Sequence, residues 1–254
     1  MGAMCSFCIR NPSTRKENMN NGIGVTERGD AALDYNEATY KARKLNVAGA
    51  ILITKSPNIL IDLLRDRPFP TPFVVNCTIT GFGGEPIEPN VPKPEVALKA
   101  YHDLIAMYGG QRVVLRVDPI ILEGRAMPII KLAEGRVRIS FLDGYAHVRE
   151  RFANRCPEYS PLLPHDFHHP IERRRSAVEY ITRELGYAPE ICGEPGLPCA
   201  GCVSQNDLDA LKLAIPARGK SYQRKDCHCL SQKVELLSRR NPCPHNCCYC
   251  YWRD

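Results

Sequence analysis

Residues 47–65, VAGAILITKSPNILIDLLR, indicate the fold class more clearly than any other part of the chain. The first eight residues are almost continuously apolar, which is typical of a strand buried on both faces of a sheet. From Pro57 onward the apolar residues recur at helical spacing, and proline favours the first turn of a helix. A buried strand that leads directly into an amphipathic helix is the repeating unit of parallel α/β sheets.

The same alternation of strand and helix continues along the chain. The predicted strands are Val47–Thr54, Pro72–Thr80, Gln111–Val117, Val137–Leu142 and a short Pro189–Cys192, and the predicted helices are Pro57–Arg65, Pro94–Tyr108 and Pro170–Leu185. Five or six such units suit a full or partial (β/α) barrel of the TIM type. We therefore predict an α/β fold whose functional face lies at the C-terminal ends of the strands.

Polar and reactive side chains cluster at these predicted strand ends. They are Lys55, Asn76, Cys77, Thr78, Arg116, Asp118 and Ser140. Because the C-terminal ends of parallel strands meet at one edge of the sheet, each of these strand ends is a candidate functional site. Cys77 has two interpretations there, a hydrogen-atom donor or a buried core cysteine.

The composition is that of a globular protein that does not cross a membrane. Of 254 residues, 44% are hydrophobic and 24% are charged, which is an ordinary balance for a globular chain. No stretch approaches the ~20 apolar residues of a membrane helix, so we expect a cytoplasmic protein with no membrane partner. The net charge of +6 favours an anionic partner.

Cysteine is the outlier in the composition. Nine of the thirteen cysteines lie from Cys192 onward, where glycine and proline also become frequent. A chain this long needs no disulfides to fold, so this cysteine content predicts bound metal. We expect a barrel core over residues 1–191, an auxiliary metal-binding segment over 192–230 and a cluster loop over 231–254.

The strongest metal motif is Cys243-x3-Cys247-x2-Cys250, with Tyr249 just before the last cysteine. Three thiolates on a tight loop can bind three irons of a 4Fe–4S cluster and leave the fourth iron open for another ligand. The alternative is a structural zinc site that takes His245 or Cys248 as its fourth ligand.

This loop resembles the cluster loop of radical S-adenosylmethionine (SAM) enzymes. The order of the polar strand-end stretches is similar to that in the spore photoproduct lyase family: Thr54-Lys55-Ser56, Asn76-Cys77-Thr78, Arg116-Val117-Asp118-Pro119 and Ser140-Phe141. A closer resemblance is to a bacterial family called domain of unknown function 1848. The shared stretches are Arg10-Asn11-Pro12, the Thr-Lys-x-Pro stretch at 54–57, Ile87-Glu88-Pro89-Asn90, Asp118-Pro119-Ile120-Ile121 and the C-terminal cysteines.

The resemblance implies a circularly permuted radical SAM barrel. In the related enzymes the cluster loop follows the first strand, whereas here it lies at the C-terminal end of the sequence. The last strand and its loop would then occupy the usual first position. A second departure is the family's usual opening stretch, Ser-Arg-Arg-Thr-Asp-Ile-Pro, which is missing before Arg10, so part of the usual site would be absent or replaced.

The resemblance also implies an activity and roles for particular residues. A reduced 4Fe–4S cluster would cleave SAM, and the resulting radical would abstract hydrogen from a substrate. The electron would come from a donor such as flavodoxin or ferredoxin. Lys55 would meet the SAM carboxylate, Asn76 and Thr78 would lie near the methionyl group, and Tyr249 and Tyr251 would serve in radical relay and SAM packing.

A second metal site follows from the same resemblance. Its ligands would be Cys192, Cys202, Cys227 and Cys229, and Cys199 could replace one of them. Four thiolates on a segment rich in glycine and proline suit either a second 4Fe–4S cluster or a zinc ion, and we expect the cluster.

Two basic runs bear on the substrate. The first contains His147, Arg149, Arg151 and Arg155, and the second is Arg173-Arg174-Arg175. Three arginines in the first turn of a helix oppose the helix dipole, which suggests an external anion such as a nucleic-acid phosphate; a solvated surface is the alternative.

Together with the resemblance, these basic runs favour radical chemistry on a thymine-type base in DNA. The competing hypotheses are a nucleic-acid-binding protein with structural iron–sulfur or zinc sites and no catalysis, and an enzyme acting on a small molecule or peptide.

Overall fold

Seven parallel strands form one curled sheet, a half-barrel with helices around it. The computed structural model describes residues 22–214, 227–230, 233–238 and 243–252, so the Arg10-Asn11-Pro12 stretch lies outside the described residues. The strands are β1 (Ile23–Val25), β2 (Gly49–Thr54), β3 (Phe73–Thr78), β4 (Val113–Ile120), β5 (Arg136–Phe141), β6 (Glu190–Ile191) and β7 (Lys233–Glu235). Their order across the sheet is β6-β5-β4-β3-β2-β1-β7. The predicted α/β class is confirmed, and the half-barrel is compatible with a partial barrel of the TIM type.

Helices connect most of the strands. They are α1 (Tyr35–Lys44), α2 (Pro57–Asp66), α3 (Pro94–Tyr108), α4 (Ala126–Lys131), α5 (Ala146–Arg155), α6 (Ile171–Arg183) and α7 (Gln205–Leu211). The bounds of α3 agree with the prediction, because Pro94 occupies its first turn and Gly109, with a φ of 81°, ends it. Within the part of the chain that the structure describes, no helix has the length and apolar character needed to cross a bilayer.

Different parts of the chain bury the two faces of the sheet. On the convex face, alternate residues of the strands form a core with the surrounding helices. On the concave face, Ile51, Val74 and Val114 pack against Leu208 and other apolar residues of the segment around α7. A Cβ atom on Gly49, the first residue of β2, would lie 2.8–2.9 Å from leucine side chains of this segment. The segment around α7 therefore lies inside the curl and reaches the start of β2.

The last strand lies at the opposite edge of the sheet from β6. β7 pairs in parallel with β1, with Ile23 opposite Lys233 and Val25 opposite Glu235. Leu236, which follows β7, packs so closely on Gly24 that a Cβ atom there would lie 2.6 Å from the leucine side chain. The absence of a side chain at Gly24 thus allows β7 and Leu236 to pack beside β1. The cysteine loop at 243–252 follows β7 in the sequence.

Candidate metal and cofactor site

One pocket at the C-terminal ends of the strands gathers most of the predicted site residues. Its lining includes Lys55, Thr78, Arg116, Asp118, Cys243, Cys247, Tyr249, Cys250 and Tyr251. The pocket encloses a volume of about 210 Å³. Because these residues come from strand ends and from the last loop, only the folded sheet brings them together.

Three thiols of the C-terminal loop line this pocket. Cys247 is buried, while Cys243 and Cys250 are partly exposed. The loop turns tightly, since Asn246 N donates to the Cys243 carbonyl and Cys250 N donates to the Cys247 carbonyl. Burial raises the pKa of the Cys247 thiol well above its ordinary value. Its thiolate would therefore form together with a bound cation rather than before it.

His245 and Cys248, the two other residues of this loop that could bind a metal, contact other groups of the protein. His245 places Nε2 2.8 Å from a carboxylate oxygen of Asp30 and Nδ1 3.3 Å from the carbonyl oxygen of Asn90. Both ring nitrogens therefore face acceptors, and neither directs a lone pair at a metal. The Cys248 thiol donates to the Pro86 carbonyl at 3.6 Å, within an apolar cluster. Among its described residues, the loop offers the pocket three thiols and no fourth ligand.

Asp30 connects this loop to the end of β2. Its buried carboxylate accepts hydrogen bonds from the Thr54 hydroxyl and the Lys55 backbone N–H, both at 2.7 Å, in addition to the contact with His245. Burial alone would raise the pKa of Asp30, but the bonds from His245, Thr54 and Lys55 outweigh it and hold the pKa below its ordinary value. The ionised carboxylate therefore fixes His245, which lies between two of the pocket cysteines. Asp30 lies in no recognisable sequence motif, so its role becomes visible only in the folded protein.

Lys55 lies between a carboxylate and an aromatic ring at the pocket wall. Its Nζ is 2.8 Å from Glu88 Oε1, donates to the Tyr249 hydroxyl at 2.6 Å and lies 5.0 Å from the Tyr249 ring centre. Glu88 is buried, and its other oxygen accepts a hydrogen bond from the Thr80 hydroxyl at 2.6 Å. Lys55 thus links the cysteine loop to the strand ends. Glu88 belongs to the Ile-Glu-Pro-Asn stretch at 87–90, for which the sequence alone suggests no role.

Arg116, Asp118 and Ser140 form a hydrogen-bonded chain across β4 and β5. Arg116 pairs with the Asp118 carboxylate, which also accepts a hydrogen bond from the Ser140 hydroxyl. Arg116 donates in addition to the Thr78 hydroxyl at 3.2 Å. Arg116, Asp118 and Thr78 line the pocket, while the buried Ser140 supports Asp118.

One face of α5 binds the backbone of the cysteine loop. His147, Arg151 and Arg155 follow one another at intervals of four residues and so share this face. The contacts join His147 Nε2 to the carbonyl oxygen of Tyr251 (3.1 Å), Arg151 to those of Cys250 (2.5 Å) and Trp252 (2.6 Å), and Arg155 to that of Asn246 (2.5 Å). These side chains of the first basic run therefore bind protein carbonyls, where the sequence suggested phosphate.

The other arginines of the basic runs divide into two groups. Arg149 donates to backbone carbonyls at 144 and 164–166, and the buried Arg174 pairs with Glu194 at 2.9 Å. Arg173 and Arg175 are exposed on α6. Only this second group leaves positive charge on the surface for an external anion.

Tyr251 fastens the cysteine loop to the end of β5. Its hydroxyl accepts a hydrogen bond from Asp143 N at 2.9 Å and donates to the Phe141 carbonyl at 3.2 Å. Tyr251 and Tyr249 both line the pocket, but their hydroxyls have different partners, since Tyr249 meets Lys55.

Three predicted cofactor-site residues do not line the pocket: Ser140, which supports Asp118, and the β3 residues Cys77 and Asn76. Cys77 is fully buried in the core of the convex face, because it alternates with Asn76 and Thr78 along β3. Burial also raises the pKa of the Cys77 thiol far above its ordinary value. Asn76 faces the concave side, but its amide oxygen accepts a hydrogen bond from Arg138 at 3.0 Å. This placement fits the core interpretation of Cys77 and gives Asn76 a structural partner.

The second cysteine set also comes together. The Sγ of Cys192 lies 2.9 Å from that of Cys202, Cys202 N donates to the Cys229 sulfur at 3.1 Å, and the Cys227 thiol bonds to Cys229. Bonds from its neighbours Cys192 and Cys229 hold the pKa of the Cys202 thiol well below its ordinary value. Cys199 instead exchanges hydrogen bonds with the backbone of residue 194.

A buried ion network anchors this second set to the sheet. Arg138 donates to the Cys202 carbonyl at 2.9 Å and pairs with Glu190 at 2.6 Å and Asp207 at 2.9 Å. Arg136 pairs with the same two carboxylates, both at 2.7 Å. The cysteine-rich segment is therefore bound to β5 and β6 by polar contacts as well as by apolar packing.

Comparison with known proteins identifies the family. A family model described as Domain of unknown function (DUF1848) matches residues 30–252, a range that contains both cysteine sets and most of the pocket. No curated protein and no solved structure matches the chain. Because the family model matches most of the sequence, this protein belongs to the DUF1848 family.

Proposed function

We propose that this protein is a radical SAM enzyme, which binds a 4Fe–4S cluster through Cys243, Cys247 and Cys250 and SAM in the adjoining pocket. The observation that carries the proposal is the arrangement of one loop, where three thiols line the pocket while His245 and Cys248 have other partners. A structural zinc ion takes four protein ligands. A cluster with one open iron takes three thiolates, which is the set that this loop offers.

The charge of the pocket supports the same ligands. Its described lining carries five lysine and arginine side chains and three carboxylates. A net positive lining stabilises thiolates, and it also attracts the carboxylate of an amino-acid group such as that of SAM.

The strand order supports a circular permutation. β7 lies beside β1 at the edge of the sheet, and the cysteine loop follows β7. In the enzymes that the loop resembles, the cluster loop follows the first strand. The chain end would therefore take the spatial position that the first strand and loop have in those enzymes.

The residues of the pocket have separable roles in this proposal. Bound there, the cluster and SAM would supply the one-electron chemistry that abstracts hydrogen from a substrate. Lys55 with its partner Glu88, and Arg116 with Asp118, provide the charged groups to bind the carboxylate and amino groups of SAM. Tyr249 covers Lys55 and packs beside the cofactor. A small electron-transfer protein such as flavodoxin or ferredoxin is the proposed reductant.

A thymine-type base in DNA is the substrate that the resemblance suggests. The exposed Arg173 and Arg175, and the exposed Arg28 at the pocket, supply surface charge for a phosphate backbone. Affinity for DNA that falls steeply with salt would support this substrate, while binding that is independent of salt would favour a small molecule or peptide.

Two neighbouring cysteines provide the test of the proposal. The protein is purified without oxygen as the wild type, Cys247→Ala and Cys248→Ala, and iron, sulfide and 5′-deoxyadenosine formation with dithionite and SAM are measured. We expect Cys247→Ala to lose the iron of the loop and all SAM cleavage. Cys248→Ala, which removes a buried thiol with a backbone partner, should retain both.

Wild-type protein that contains no iron, or that leaves SAM intact when its cluster is reduced, would overturn the proposal. If Cys247→Ala and Cys248→Ala lost iron and SAM cleavage equally while both kept the wild-type melting temperature, the assigned cluster ligands would be wrong. Thermal melting of each variant separates ligand loss from unfolding.

A further inference from the structure

Glu27 connects the second cysteine set to the pocket. It follows β1 and lines the pocket together with the C-terminal cysteines. A carboxylate oxygen of Glu27 and the sulfur atoms of Cys202 and Cys229 all lie within 4.8 Å of one another. Glu27 precedes the range matched by the family model, and the sequence pattern gave no signal for it.

We propose that Glu27, Cys202 and Cys229 bind a single metal ion of the zinc class, with a further thiol of the same set, Cys192 or Cys227, as the fourth ligand. Cysteine thiolates and carboxylates are both ordinary zinc ligands. The proposal concerns a site separate from the Cys243–Cys250 loop, and it does not depend on radical chemistry.

The spacing of the donor atoms favours one ion over a second 4Fe–4S cluster. With zinc–sulfur bonds of about 2.3 Å, a tetrahedral ion holds neighbouring sulfurs about 3.8 Å apart. The trio lies within 4.8 Å, which is compatible with this spacing, and the sulfurs of Cys192 and Cys202, at 2.9 Å, lie closer together than it requires. In a cluster each thiolate binds a different iron, so the sulfurs lie farther apart.

The surroundings of the trio suit an anionic ligand set. Lys233 Nζ donates to both carboxylate oxygens of Glu27, at 3.0 and 2.9 Å. Arg138 donates to the Cys202 carbonyl, and Arg116 lies close enough to act electrostatically on Cys202 and Glu27. A carboxylate ligand is commonly oriented by a hydrogen-bond donor in this way, and Lys233 takes that role here.

The position of Glu27 places the ion at the wall of the pocket. Glu27 lines the pocket, and its carboxylate lies within 4.8 Å of the two sulfur atoms; Arg116 also lines the pocket and acts electrostatically on Cys202. A ligand that enters the pocket would therefore contact Glu27, whose position the bound ion would fix.

Metal analysis of two glutamate variants tests the proposal. The wild type, Glu27→Gln and Glu235→Gln are purified without oxygen, and zinc and iron are counted in each. Zinc X-ray absorption then identifies the ligand atoms, and competition with a colorimetric chelator gives the affinity. Glu235 is the matched control, because its carboxylate accepts backbone hydrogen bonds from residues 27 and 237 and, among the residues that the structure describes, belongs to no such trio.

We expect one zinc per chain in the wild type, with sulfur ligands and one oxygen or nitrogen ligand. Glu27→Gln should weaken zinc binding at least about tenfold, while Glu235→Gln retains it. About eight irons per chain and no zinc would overturn the single-ion proposal, and a zinc ion with four sulfur ligands in the wild type would overturn the role of Glu27. Wild-type protein that binds one zinc but contains no iron and leaves SAM intact would count against the proposed function alone.

Discussion

Replacement of Arg151 by methionine tests whether α5 holds the cysteine loop in place. The Arg151 side chain is 7% exposed and donates to the carbonyl oxygens of Cys250 and Trp252. Methionine preserves much of the apolar stem but provides no donor. The variant therefore leaves two loop carbonyls without these partners.

The expected cost follows from these two bonds. Hydrogen bonds to a charged group contribute about 1.5–3 kcal/mol each, so the lower end of the range gives about 3 kcal/mol for the pair. Since every 1.4 kcal/mol is a factor of ten, undocking of the loop should become about a hundredfold more favourable. We expect faster loss of iron to a chelator and faster proteolysis near the C-terminus.

Arg149→Met is the matched control for this experiment. Arg149 lies on the same helix and also binds several backbone carbonyls, but those carbonyls belong to residues 144 and 164–166. Arg149→Met should lower the melting temperature but should lose iron to a chelator no faster than the wild type. Equal iron retention in Arg151→Met and the wild type, or equal iron loss in both variants, would refute the assigned role of α5.

Three further predictions follow from named contacts. Lys55→Met removes the ion-pair partner of the buried Glu88 carboxylate and should lower the free energy of unfolding by about 3 kcal/mol. The double variant Lys55→Met, Glu88→Gln should regain the wild-type melting temperature, but calorimetry should show no recovery of SAM binding. Burial is the main cause that lowers the pKa of His169 to about 4, and the charges of Arg173 and Arg174 add to it. His169 therefore contributes at most about 3 kcal/mol to the free energy of unfolding above pH 6.5, and this contribution is lost as the pH falls towards 4. In denaturant titrations, the free energy of unfolding of His169→Asn should fall less steeply with decreasing pH than that of the wild type. Tyr251→Phe removes the bonds to Asp143 N and the Phe141 carbonyl and should cost about 1–2 kcal/mol by thermal melting, with SAM cleavage retained.

Local periodicity predicted the elements that carry a strong apolar pattern. The strand at 47–54 and the helices at 57–65 and 94–108 agree with β2, α2 and α3 within one or two residues. α1 and α5 were missed because both are strongly polar and bury only a few side chains. The strands β1 and β7 have three residues each, too few to show a period, and they are defined by pairing across the chain.

The site was predictable only where the chemistry lies within a local motif. The spacing of Cys243, Cys247 and Cys250 is such a motif, whereas Glu27 and Asp30 sit in a stretch without one. The first basic run was counted in favour of an anionic substrate, because the sequence does not show that carbonyls about a hundred residues away approach Arg151. The alternation along β3, by contrast, could have separated Cys77 from Thr78, since neighbouring residues of a strand face opposite sides.

The position of the cysteine loop at 243–252 makes its docking a tertiary event. Contacts between groups distant in sequence hold it, among them Asp30 to His245, Lys55 to Tyr249, and Arg151 to the Cys250 carbonyl. Each begins on a different part of the half-barrel, so the loop takes this geometry only after the sheet has formed. The binding free energy of a metal group on this loop would therefore stabilise the docked chain end more than the sheet itself. Removal of that group should loosen the loop while the strands keep their hydrogen bonds, and hydrogen exchange that showed equal loss of protection in β3 and β4 would contradict this coupling.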